Sequence, residues 1–164
     1  MKWLFGICLL MLLLPGSGQL YAQEGEDSFT KKEFYAVMAG KNEAAIDKQL
    51  QLLKSVSTSD KTAYEGALLM KKAGLVSGAK KKLDLFKQGH KKLESVLQKD
   101  SSNAEFRFLR LMIQEHAPGI VKYKGEIAED SMYIKNNFKK LQPVVQEAVQ
   151  RYSKTSNILK TADL

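Results

Sequence analysis

The chain has a single cysteine, Cys8. It lies inside an apolar run, "LFGICLLMLLL", and lacks the small neighbours that a lipoprotein cleavage site places before its cysteine. Past that run there is no thiol for a disulfide, a thiolate nucleophile or a zinc–sulfur site. No Asn-x-Ser/Thr sequon occurs, so no glycan is expected. Nucleophile elbow, phosphate-binding loop and EF-hand loop are all missing. The pair Glu115 and His116 is not a zinc-protease motif, which needs two histidines four apart on one helix face. These absences predict no cofactor, no metal and no catalytic residue, and argue against an enzyme. Strand signals are missing too: there is no sustained alternation and no Asn-Gly or Asp-Gly hairpin turn.

Long apolar runs are also scarce. The one near the N-terminus follows the charge of "MKW" and precedes "PGSGQLYA", the layout of a secretory signal peptide over residues 1–22. Cleavage is expected after Ala22, with Gly18 as the fallback. The run is shorter than the roughly 20 apolar residues that span a membrane, and no later stretch is apolar enough to cross one. A bacterial export route, to periplasm or medium, is the expected address. Residues 23–29 read as a flexible acidic tail, residues 30–152 as one helical domain, and residues 153–164 as a frayed C-terminal tail.

What is present reads as helix. Thr30 and Glu33 form a capping box for the first helix, which stops at Gly40. Asn42 caps a second, with Ile46, Leu50 and Leu53 on one face. A third starts at Ser59 or Asp60 and carries Ala63, Gly66 and Ala67, small enough for close helix–helix approach. Ser77 is expected to cap the fourth, which runs to about Gln98, and Asn103 the fifth, which stops before Pro118. A sixth covers about residues 126–140, and Pro143 sits in the first turn of a seventh. The fold class is all-α: an array of about seven helices in αα-hairpins.

The chain carries a net charge of +8, and it is concentrated. Residues 71–99 hold nine lysines against Asp84 and Glu94. On the fourth helix Lys80, Lys87 and Lys91 form one row, and Lys81 and Lys92 belong to a second, flanking Asp84. Leu83, Phe86, His90 and Leu93 fall on the opposite, apolar arc, where only Lys82 intrudes. The lysines are either the solvated face of a packing helix or a basic ridge for an anionic surface or polymer. Nucleic acid is disfavoured, because the ridge has no arginine and no aromatic on its wet side.

The stretch "LESVLQKDSSNAE" resembles the joint between successive tetratricopeptide repeats. Gly89, Leu93 and Val96 match the family's small, bulky and small positions, and "KDSSNAE" matches its inter-repeat turn, with Ser101 where proline is usual. Arg107, Arg110 and Leu111 stand where the next repeat places an aromatic and then Leu-Gly. The resemblance covers residues 61–111. It implies right-handed, repeat-like packing and a scaffold that binds other proteins, here another envelope protein, through a concave groove.

The fifth helix is apolar over more than half its circumference, with Arg107, Arg110 and Gln114 as a narrow polar stripe. Such a helix should be central, and arginines buried on it demand partners. Asp130 on the sixth helix is the expected partner, with Glu126 or Glu129 as alternates. The cluster is either an ion-pair lock between two helices or an anion pocket with the arginines as forks; a cryptic site of a small helical enzyme around Arg107, Arg110 and Asp130 is the further alternative. His90 and His116 read as a packed and a capping histidine.

Overall fold

The computed structural model describes residues 28–58 and 60–164. The expected signal peptide, Cys8 and most of the acidic segment lie outside these residues. Among the described residues seven α-helices follow one another: α1 (Lys31–Ala39), α2 (Glu43–Leu52), α3 (Lys61–Ala73), α4 (Ala79–Lys99), α5 (Ala104–His116), α6 (Ile127–Asn137) and α7 (Pro143–Ser153). No strand occurs among the described residues, and no helix there is long and apolar enough to cross a membrane.

The caps explain most of the boundaries. Thr30 accepts from the Glu33 amide, Asn42 from Ala45, and Asn103 from both Glu105 and Phe106, each satisfying first-turn N–H groups that have no intrahelical partner. Pro143 opens α7, where its missing N–H costs nothing. One boundary differs from expectation. Gly78, not Ser77, holds the N-cap position of α4, with φ 86° and no side-chain cap. The chain reverses between α3 and α4 within a few residues, and that turn needs a conformation only glycine adopts cheaply.

The α3–α4 hairpin is the tightest contact in the fold. A Cβ added at Gly66 would stand 2.8 Å from the Gly89 carbonyl oxygen. One added at Gly89 would stand 2.5 Å from the Gly66 carbonyl and 2.9 Å from the Met70 nitrogen. Backbone meets backbone here, so neither position has room for a side chain. Helix α5 packs on α3, α4 and α6, and α7 closes against α1. Ten of the thirteen residues of α5 are buried, which makes it the central helix. A run of ring contacts crosses the core: Phe34 to Tyr64 at 4.7 Å, Phe34 to Tyr35 at 5.0 Å, Tyr35 to Phe108 at 5.8 Å and Phe108 to Tyr152 at 5.6 Å.

Both ends of the described chain are tied down. Phe29, read from sequence as part of the flexible acidic tail, packs against Phe34 and Tyr64. Residues 153–164, read as frayed, fold back onto the body. Leu159 is fully buried, and Glu115 on α5 accepts hydrogen bonds from Ser156 Oγ at 2.6 Å, from the Asn157 amide at 2.6 Å, and from the Tyr152 hydroxyl. A short polar segment with one buried leucine and one half-buried carboxylate to hold it carries too little periodicity to be read from sequence.

The glycine crossing gives a test with an unusual sign. Alanine normally favours a helix interior over glycine by about 0.5–1 kcal/mol. Gly89→Ala is expected instead to destabilise by about 1–3 kcal/mol, because its methyl meets fixed backbone. Thermal unfolding checks it; a raised midpoint would sink the close-crossing account.

Candidate binding site

The expected arginine cluster assembles. Arg110 grips Asp130 with two bonds, Nε to Oδ2 at 2.7 Å and Nη2 to Oδ1 at 2.8 Å. Arg107 Nη1 reaches Asp130 Oδ1 at 3.0 Å and Glu129 Oε1 at 2.8 Å, and its Nε donates to the Ser101 carbonyl at 2.6 Å. Asp130 is fully buried. The network extends beyond the sequence reading: Arg110 Nη1 also donates to Glu94 on α4 at 3.2 Å, and Glu94 accepts from the Tyr123 hydroxyl. Burial alone would lower the Arg110 pKa, but Asp130 and then Glu94 more than reverse it, so the guanidinium stays charged. These bonds join α4, α5 and α6. They occupy Nε and both terminal nitrogens of Arg110, and neither arginine is among the residues lining the groove described below.

A second buried carboxylate was not anticipated. Glu105 accepts from Tyr64 at 2.7 Å, Tyr35 at 2.9 Å and Lys31 at 2.8 Å, fastening α1 and α3 to α5. Burial first, and the Glu105 charge second, push both tyrosine pKa values up, so the hydroxyls remain donors.

The open space lies elsewhere. A groove of about 1280 Å³ runs between the C-terminal ends of α1, α3 and α5, the N-terminal half of α4, the segment after α5, and α7. Helix lengths create it. Helix α4 has 21 residues and α5 only 13. The Arg110–Glu94 pair sets the register of these two helices, joined by a short turn. At 1.5 Å per residue, α4 runs on well past the end of α5. Leu83, expected in the core, is therefore 46% exposed on that projecting part, and Phe86 is only half-buried. The floor is apolar, with Met38, Met70, Met112, Ile113 and Ala148 among its lining. Three tyrosines line it as well, but Tyr35, Tyr123 and Tyr152 donate their hydroxyls to Glu105, Glu94 and Glu115, none of which lines the groove.

Charge is what singles the groove out. Lys41, Lys71, Lys82, Lys87, Lys122 and Arg151 line it, with His90 and His116, and no aspartate or glutamate does. Arg151 is paired with Glu147 at 2.7 Å. Lys71 is half-buried, and burial, then the charge of Lys41, hold its ammonium below the usual lysine range. An anion between them would relieve both effects. His90 stands against Tyr123 with ring centres 4.7 Å apart and stacks on Phe86. His116 Nδ1 lies 3.1 Å from the Met112 carbonyl oxygen.

The lysine ridge divides on inspection. Lys80 pairs with Asp84 at 2.9 Å, Lys92 with Glu65 at 2.7 Å, and Lys81 lies 3.9 Å from Glu43. Lys91 is exposed and away from the groove. Of the five ridge lysines singled out as binding candidates, only Lys87 lines the groove, joined by Lys71 and by Lys82, the intruder on the apolar arc. Lys41, Lys122 and Arg151 lie far apart in sequence and carried no signal of convergence. No group of three or more metal-ligating side chains occurs among the described residues.

Two tests follow from the hydrogen-bonded carboxylates Asp130 and Glu115. Asp130→Ala leaves two guanidiniums short of their main partner and should destabilise by about 3 kcal/mol, the low end for an orphaned buried ion because Glu94 and Glu129 remain. An unchanged unfolding midpoint would contradict the lock. Glu115 has its pKa lowered: burial pushes it up, but the bonds from Ser156, Tyr152 and the Asn157 amide outweigh that. Its stabilisation is then complete above the ordinary value of 4.5 and is lost as pH falls through the depressed one. The stability gap between wild type and Glu115→Gln should close on acidification below that value, as measured by denaturant unfolding across pH.

No known protein family, curated protein or solved structure matches the chain.

Proposed function

We propose that the protein is an exported binding module of the bacterial cell envelope whose groove takes an anionic amphiphile: an acyl chain along the apolar floor and its acidic head among the rim cations. The observation that carries this is the lining itself, apolar within, six cations around it and no carboxylate. At about 1280 Å³ the groove exceeds the roughly 300–1,000 Å³ of a drug-sized pocket, which suits an elongated ligand. With the three tyrosine hydroxyls spent on carboxylates outside the groove, the floor favours alkyl over hydrogen-bonding groups. The methionines add side chains that adapt to a flexible chain.

The export address rests on residues 1–22, and fractionation of cells expressing the full chain checks it. Tetratricopeptide-like packing is supported by the α3–α4 hairpin and its glycine crossing. A protein-binding scaffold of that type would use the same concave face. The charge around it favours the amphiphile.

Calorimetry with palmitate, cetyl alcohol and acetate, below micelle concentrations, separates the contributions. Palmitate should bind about tenfold more tightly than the alcohol, a difference of about 1.4 kcal/mol, and acetate should not bind detectably. Equal binding of acid and alcohol would remove the role of the rim. Lys71→Met should weaken palmitate by about tenfold while the unfolding midpoint holds or rises, because Lys71 is partly desolvated and feels the charge of Lys41. Unchanged palmitate affinity in that variant would overturn the placement of the head group.

A further inference from the structure

Resting on the groove reading, we propose that the mouth of the groove docks on an anionic phospholipid surface, so that an amphiphile passes between bilayer and groove without crossing water. Two apolar side chains stand out into solvent among those lining the groove: Ile120, 89% exposed, and Leu83, 46% exposed. A single exposed apolar residue is ordinary. Here both line one groove, and each has lysines close by in the chain. Leu83 lies between Lys82 and Lys87 along α4, and Ile120 is followed by Lys122 and Lys124. The carboxylate nearest along α4, Asp84, is held by Lys80 at 2.9 Å.

Ile120 does not sit on a loose loop. It lies in a single 3₁₀ turn, Gly119–Val121, which ends at Lys122 with φ 49°. The next residue, Tyr123, is buried, its ring 4.7 Å from His90 and 5.7 Å from Phe86, its hydroxyl on Glu94. Tyr123 thus fixes the turn to α4 and to the arginine network while Ile120 is left in water. Gly119 and Gly125 bracket the turn with open space around both. An apolar tip that enters the acyl boundary, with lysines placed at headgroup level, is how peripheral proteins hold a lipid surface. A protein partner would call for a broader apolar centre with a polar rim offering hydrogen bonds. This mouth offers cations and two separate apolar tips.

The experiment is co-sedimentation of the protein, after any signal removal, with vesicles of phosphatidylglycerol and phosphatidylcholine, against vesicles of phosphatidylcholine alone. The protein should sediment with the anionic vesicles at low salt and be released as salt rises. Ile120→Asp should lose about tenfold in vesicle affinity, while keeping its unfolding midpoint. Two results would overturn the proposal: no sedimentation of the wild type, and sedimentation of Ile120→Asp equal to wild type. Failure of palmitate to bind the wild type, with vesicle binding intact, would remove the groove reading alone and leave the docking surface standing.

Discussion

The structure depends on burying α5. That helix carries the charges of Glu105, Arg107 and Arg110 into the interior, and buried charge is tolerated only when it is paired and hydrogen-bonded. Each of these residues therefore dictates where a neighbour must be. Glu105 needs the hydroxyls of Tyr35 and Tyr64, which fixes α1 and α3. Arg107 and Arg110 need Asp130, which fixes α6, and Arg110 reaches Glu94, which fixes α4. Glu115, near the exposed end of the same helix, holds the C-terminal segment. Apolar contacts provide the bulk of the stabilisation, while these polar bonds choose among the ways seven amphipathic helices could pack.

The groove is a consequence of the same arrangement. With α4 held to α5 by Glu94 and to α3 by the glycine crossing, its N-terminal half has no helix left to cover it. An apolar arc that would ordinarily be core becomes the wall of an opening. The tyrosines that border the opening are turned to carboxylates outside its lining, and the lining itself holds cations and no carboxylate. The carboxylates that accept from these tyrosines thus lie outside the groove lining, and the cations lie within it.

Much of the fold was legible in the sequence because helix signals are local. Asn42 and Asn103 cap as a first-turn acceptor must, the small residues of α3 meet α4 closely, and the polar stripe of α5 pointed to Asp130. Periodicity could say that Leu83 is on the apolar side of α4. It could not say that the partner helix stops before reaching it. The tail was misjudged for a related reason: Leu159 and Glu115 are brought together by the return of the chain, and forty-odd residues of separation leave no pattern to read.

By itself the sequence determined the all-α class, the helix boundaries to within three residues, the partner of the buried arginines and the concentration of lysine on α4, since each follows from spacing along one helix or from the requirement that buried charge be matched. Only the tertiary structure decided which lysines share an opening. Lys80, Lys81 and Lys92 turn to carboxylates, while Lys71, Lys82 and Lys87 join Lys41, Lys122 and Arg151 around one opening. Convergence of side chains from five separate elements depends on where helices end relative to one another, a distance in space that no sequence interval encodes.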